Sequence, residues 1–324
     1  MESFWNRLEK PFFVLAPMAD VTDPAYRKLI AETGKPDVTW TEFVSADGLY
    51  HTREKGVMED ADNPLVRDLA FTEGERPIVA QLFGAHPDTM AYAAKLCAEL
   101  GFDGIDINMG CPDRSIEKQG AGAAMMKHPE DAPAIIAAAR ESGLPVSVKT
   151  RIGYNKEEMD EWLPVLLKEH PAALTVHLRT RKEMSLVPAH WELAGRVVAL
   201  RDRYSPETRA IGNGDVKTLA DAHVKAKETG LDGIMLGRGI FGNPWLFTER
   251  DPEEIPPQEK LAALLRLSAY FDELRPRKSF HILKKHFKAF ITGWPGAAEL
   301  RASLMEATHH AEFAERLQDA VMRV

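Results

Sequence analysis

GIDINMGCPDRSIEKQGAGAAMMKHPE, residues 104–130, is the stretch on which the fold turns. It opens as a short apolar run, 104–108, closes on the polar Asn108, and passes through a glycine-containing turn to Cys111 and Pro112. A short apolar run bounded by turn signals reads as a strand buried on both faces. Seven further runs share the pattern: 14–17, 38–42, 78–81, 146–149, 174–177, 210–213 and 233–237. Between them, residues 24–33, 87–100, 129–142, 157–169, 191–203 and 217–229 carry apolar residues at helical spacing. Asp88 and the prolines heading several of these stretches are start signals, and Gly101, Gly143 and Gly230 are C-cap signals. Alternation of strand and helix with short links predicts a parallel sheet, and eight strands suit closure: an α/β chain forming a (β/α)8 TIM barrel. Chemistry in that fold sits at the C-terminal ends of the strands, so Met18, Gln81, Asn108, Lys149, His177 and Asn213 are expected at one rim.

The 324 residues exceed the roughly 250 of one barrel. The strand–helix rhythm stops at ERDPEEIPPQEK, residues 249–260, an acidic, proline-rich boundary. Beyond it, 261–274, 279–291 and 297–322 read as helices, so the division expected is a barrel over 1–250 and a small C-terminal helical domain over 255–324. A hydrophobic fraction of 44% and a charged fraction of 28% are those of a soluble globular protein. No apolar run approaches the roughly 20 residues that span a bilayer, which speaks against a membrane protein. The opening MESFWNRLEK lacks a secretory pattern, and two cysteines cannot form a disulfide framework, so a cytoplasmic location is expected. With a formal charge of −8, any site for a polyanion must be a local patch.

Each candidate residue has a plain structural reading beside its chemical one. A free cysteine is usually inert packing, as Cys97 on its amphipathic stretch is read to be; Cys111, on a polar loop at a strand's end, is read as reactive. Lys149 and Arg151, two apart, share a side if the strand continues. A lysine ending a barrel strand could stabilise negative charge, or simply be solvated. His177 is aimed at the same rim, and Gln81 interrupts an apolar strand, so it binds a ligand or a buried neighbour. GNGD, 212–215, and LGRG, 236–239, place glycines and backbone N–H groups beside Arg238 at the last two strands, where many barrels hold phosphate. RPRKSFHILKKHFKAF, 275–290, holds Arg275, Arg277, Lys278, Lys284, Lys285 and Lys288 with no acid among them. On a helix Lys284, Lys285 and Lys288 share a face opposite Phe280, Leu283 and Phe287. That is an ordinary solvated face or, in an acidic chain, a phosphate-backbone contact.

Taken together, APMADVTDPAYR, QLFG, DINMGCP, GAGAAMM, VKTR, HLRT, GNGD and LGRG, spread over residues 16–239, resemble the tRNA-dihydrouridine synthase family. Leu178 in HLRT stands where that family commonly has glycine or alanine. The resemblance implies an FMN-dependent barrel that reduces the C5–C6 double bond of specific uridines in tRNA, with NADPH as reductant. It implies that flavin N5 gives hydride to C6 and that Cys111, as a thiol, gives a proton to C5. It assigns Pro17, Met18 and Ala19 to the flavin ring, Gln81 to its polar edge, Lys149 to N1 and O2, and His177 to a nearby contact. Asn213, Gly214, Asp215, Gly237 and Arg238 would hold the ribityl chain and phosphate. Asn108 and Arg151 are candidates for the uracil; Lys284, Lys285 and Lys288 are candidates for the tRNA backbone. Glu42, ending the second strand, receives no role. No metal is expected, and a monomer is the default.

Three rivals stay open at this level. An FMN barrel acting on free pyrimidines, such as a dihydroorotate dehydrogenase, would share Lys149 and the glycine pairs but would not need the basic helices. A phosphate-substrate isomerase without flavin would be colourless. An RNA-binding protein with an inert barrel would not need Cys111 or Lys149. No G-x-G-x-x-G follows a strand to decide between NADPH and NADH, and the target uridine depends on how the whole tRNA docks against both domains.

Overall fold

The computed structural model describes residues 3–274 and 276–321. Eight parallel strands form the barrel: β1 Phe12–Leu15, β2 Thr39–Trp40, β3 Ile78–Phe83, β4 Gly104–Met109, β5 Val146–Arg151, β6 Ala173–His177, β7 Arg209–Asn213 and β8 Gly233–Leu236. Strand β1 pairs with β8, the ladder runs back through β7 to β2, and a parallel bridge between Val14 and Val38 closes the ring. All eight expected strands are present, displaced by a residue or two at their ends. A ninth short segment, Val44–Ser45, pairs with Leu82 and Phe83 after the chain leaves β2.

The two-residue period of the strands sorts the side chains. Leu15, Ile105, Ile107, Val148, Val176 and Leu236 are buried outward, in one cluster with the surrounding helices. Phe12, Val14, Trp40, Val79, Ile211 and Met235 gather inside. Phe4 and Trp5, on a short 3-10 helix Phe4–Arg7, join that inner cluster, with ring centroids of Trp5 5.8 Å from Trp40 and 6.0 Å from Phe12. These aromatics close the lower end of the barrel. Higher up, the inward positions turn polar, and the register aligns Gln81 with Asp106 and Ser147, Asn108 with Lys149 and Thr175, and Arg151 with His177 and Asn213.

The helix over Pro24–Thr33 starts where Asp23 Oδ1 accepts the Tyr26 N–H at 2.9 Å and Pro24 supplies a pre-set φ. Gly101, Gly143 and Gly230 all have positive φ at helix ends. Asp88 lies in the first turn of Pro87–Glu99 rather than at its cap. Past the barrel, the proline-rich boundary is pinned by the buried Ile255 and by an Arg250–Glu259 ion pair at 2.6 Å. The long helix Pro257–Glu273 follows. The expected second helix is a 3-10 turn, Phe280–Ile282, leading into Lys284–Phe290. The expected single helix over 297–322 is two: Ala297–Glu306 and His310–Val321. The break falls where Thr308 donates through N–H and Oγ1 to the Glu312 carboxylate, at 3.0 and 3.2 Å. One continuous helix would run to about 39 Å and leave an apolar face bare. Folding back buries Leu300 and Leu304 with Phe313 and Leu317. Met322 and Arg275 lie outside the described residues. Among the described residues, no helix is long and apolar enough to cross a membrane.

Candidate active site

The polar interior of the barrel opens at the C-terminal ends of the strands into a cavity of about 790 Å³. That lies within the roughly 300–1,000 Å³ of small-molecule sites. Pro17, Met18, Gln81, Asn108, Cys111, Lys149, Arg151, His177, Asn213, Gly214, Asp215, Gly237 and Arg238 all line it. Ala19 does not; it is exposed, and Ala16 lines the wall in its stead. Phe43, Ser185 and Lys217 also line it, and nothing in the sequence had marked them. Leu178 is fully buried among the outward-facing apolar residues, so the departure in HLRT does not touch the cavity.

A chain of hydrogen bonds sets the Cys111 turn. Ser147 Oγ donates to Asp106 Oδ1 at 2.6 Å, and Gln81 Nε2 donates to Asp106 Oδ2 at 2.6 Å. Asn108 Nδ2 donates to Gln81 Oε1 at 3.1 Å, which leaves Asn108 Oδ1 to accept the N–H groups of Gly110 and Cys111 at 3.1 and 2.9 Å. The amide of Asn108 is thus committed to presenting Cys111. Arg151 acts from the other side: Nε donates to Gly110 O at 2.7 Å, and one terminal nitrogen to Met184 O and Thr180 O at 3.0 and 3.2 Å. Gly122, at φ +61°, lets the chain pass so close that a Cβ would lie 2.8 Å from Cys111 O. Burial pushes the Cys111 thiol above its ordinary pKa, so it holds its proton at neutral pH. Cys97 is fully buried, as an inert packing residue would be.

Lys149 has no hydrogen-bond or ion-pair partner among the described residues, and burial pulls its amine down to about 8. Asp106, two residues below Asn108 on β4, is pushed up to about 6 by burial. His177 is held well below its ordinary pKa, first by burial and then by Arg151, Lys149, Arg179 and Arg238. It is therefore neutral, and because Arg179 donates to Nε2 at 3.1 Å, the ring proton sits on Nδ1. Asp215 lies between Arg179 and Arg238, the latter at 2.6 Å, and both hold its carboxylate below the usual range against the opposing effect of burial. Its charge is committed to fixing those arginines. Among the described residues, the backbone N–H groups of Asp215, Val216, Lys217, Arg238 and Gly239 donate to no protein acceptor. A Cβ on Gly239 would meet Lys217 O at 2.5 Å, so glycine lets these two turns meet. The result is a set of free amides beside Arg238, the arrangement that cradles a phosphate.

The dihydrouridine synthase family model matches residues 14–324. A probable tRNA-dihydrouridine synthase 2 of Bacillus subtilis is 43% identical over 325 residues, covering 98% of this chain and 96% of its relative. The chain belongs to the dihydrouridine synthase family. Probable tRNA-dihydrouridine synthases of Staphylococcus epidermidis and Staphylococcus aureus are each 42% identical, covering 98% and 96% of this chain and 95% and 93% of their own. Among solved structures, a 2-naphthoyl-CoA reductase complex superposes with a TM-score of 0.55 at 11% identity, over 75% of this chain and 50% of that one. A histamine dehydrogenase from Rhizobium sp. 4-9 gives 0.51 at 14%, over 80% and 48%. At such identities these two likenesses speak for the barrel fold alone. As a dihydrouridine synthase family member, the chain is a flavin-dependent oxidoreductase.

The basic helices are less uniform than their sequence. Lys285 and Lys288 are exposed, but Lys284 Nζ donates to Met305 O at 2.6 Å, near the end of Ala297–Glu306. The Lys278 side chain is buried in an ion cluster on the barrel rim, away from solvent.

Proposed function

We propose that this dihydrouridine synthase reduces the C5–C6 double bond of specific uridines in tRNA, with FMN as its bound flavin and NADPH as reductant. The observation that carries this reading is one cavity holding a protonated Cys111 thiol, an unpartnered Lys149 and a cradle of free backbone N–H groups. The residues fit FMN. The amides of Asp215, Val216, Arg238 and Gly239, with the Arg238 side chain, suit its phosphate; Asn213 suits the ribityl chain; Pro17, Met18 and Gly237 suit the ring. Lys149 suits an electron-rich edge of the ring, where its charge would find the hydrogen-bonding partner that none of the described residues supplies.

When bound, the flavin supplies the hydride that goes to uracil C6. Cys111 supplies the proton that goes to C5, becomes a thiolate, and regains a proton from solvent, so the added hydrogens balance. Asn108 and Arg151 do not need to touch the uracil to matter: their bonds to the Gly110–Cys111 backbone hold Sγ in place. His177, neutral with its proton on Nδ1, is a donor to the cofactor rather than a cation. Lys285 and Lys288, with the tRNA phosphates as partners, would give the helices their share of binding.

The test is a mass-spectrometric count of dihydrouridine after incubating the chain, NADPH and tRNA from cells that lack the modification, with positions mapped in fragments. Dihydrouridine that forms only when Cys111 is present is the expected result. A yellow, reducible protein that makes none across several tRNAs would move the assignment to a reductase of free pyrimidines.

A further inference from the structure

Glu42 has no role in the sequence reading, and Lys278 belongs there to a solvent-facing basic patch. The structure brings the two together. Lys278 Nζ lies 2.9 Å from Glu42 Oε2, 3.3 Å from Asp68 Oδ1 and 3.9 Å from Asp20 Oδ1, and the Lys278 and Glu42 side chains are each only 7% exposed. The other Glu42 oxygen accepts the backbone N–H of Asp20. Asp20 has φ +56°, a left-handed conformation rare outside glycine, and it ends the turn that carries Pro17 and Met18 into the cavity wall. Phe43, the residue after Glu42, lines the same cavity. The carboxylate of Glu42 therefore ties together two separate pieces of the wall, and the cation that compensates it comes from the link between two of the C-terminal helical elements.

We propose that Lys278 is a positioning residue for the cofactor cavity: through Glu42, the helical region fixes the wall formed by Pro17, Met18 and Phe43. The segment around Lys278 is itself clamped, because Arg67 donates to Pro276 O at 3.0 Å while the neighbouring Asp68 meets Lys278. Asp23, buried below the same loop, adds a further acid to a rim that already holds Asp20, Glu42 and Asp68. Without Lys278 these carboxylates keep the exposed Lys285 as a nearby cation, and the Asp20 turn loses the buried charge that holds Glu42 against it. Arg27 cannot substitute, since it is committed to Glu75 at 2.8 Å.

The inference rests on the flavin reading for its consequence but not for its geometry, and two measurements separate them. The first is hydrogen–deuterium exchange of peptides covering 16–22 and 40–45 in the full chain, with 104–109 as reference. The second is FMN affinity from quenching of its fluorescence. Lys278→Met is expected to speed exchange of both wall segments, leave the reference unchanged, and weaken FMN by roughly five- to tenfold. Lys278→Arg should restore most of both. Glu42→Gln, which leaves Lys278 to Asp68 and Asp20 and removes the charge that ties it to the wall, should give the same signature, and the double variant should be no worse than either single. Exchange that rises only in 257–291, or FMN affinity that stays at the parent value, would show that Lys278 merely docks the helices and would overturn the proposal. If the parent chain itself bound no FMN, the flavin reading would fall, and exchange of 16–22 alone would decide the inference.

Discussion

In the proposed reaction Cys111 meets its substrate carrying a proton, and burial at the turn after β4 favours that state without a dedicated acid. Cys111→Ala is therefore expected to keep the yellow colour and RNA affinity of the parent while losing roughly 10²–10⁴-fold in turnover, as steady-state kinetics would show. Lys149 offers a sharper test of electrostatics. In the flavin-free chain its amine is depressed to about 8, so it is charged below that pH and neutral above it. FMN affinity is expected to weaken as pH rises through about 8; Lys149→Arg should hold it flat, because arginine stays charged, and Lys149→Met should lower it roughly tenfold at pH 7. Lys149 and His177 were legible because each ends an apolar run, and Cys111 because it follows one on a polar loop, which betrays the rim. Phe43 and Ser185 were not: they come from loops whose path depends on what the neighbouring strands do. Nor could spacing reveal that Asn108 and Arg151 commit their polar groups to backbone.

At the level of elements, the seam between barrel and helices carries an unusual group. His286 sits 2% exposed between Tyr26 and Phe241, with ring centroids 4.6 and 6.0 Å away, and its Nδ1 has no partner among the described residues. Burial, with Lys285 beside it, lowers its pKa to about 3. Above pH 6.5 the ring is neutral whether folded or not; below it, the unfolded chain takes up the proton first, so stability is lost as pH falls from 6.5 toward 3. Asp23 and Asp106, raised to about 6 by burial, act in the opposite sense, favouring the fold as pH falls. The difference between parent and variant isolates the histidine: His286→Phe should remove a loss of about 2–3 kcal/mol between pH 7 and 4.5, measured by urea unfolding. All eight strands were readable because parallel strands buried on both faces are continuous apolar runs. The break at 307–309 was not, since Thr308 and Glu312 read equally as helix interior until the need to bury two faces decides.

On the scale of the whole molecule, an acidic chain has to place its cations where a polyanion arrives. Of the basic run at 275–290, Lys278 is buried in an ion cluster, Lys284 is tied to Met305 O, and Lys285 and Lys288 are exposed. Replacing these last two by Gln should lower the slope of log affinity for tRNA against log salt by roughly 0.7–0.9 for each phosphate no longer neutralised, whereas Lys284→Gln should leave the slope alone. The barrel architecture followed from the sequence; the joint between barrel and helices, built from Lys278, His286 and Ile255, did not, because no periodicity records a contact between distant segments. The aromatic stopper of Phe4, Trp5 and Trp40 bears on traffic. With the base sealed, the cavity is reached from its upper mouth, so in the proposed reaction whatever delivers electrons would step out before the nucleic acid steps in. Visitors that queue at one threshold should give parallel lines in double-reciprocal plots of rate against NADPH at several tRNA concentrations, and an excess of either should hold the other outside.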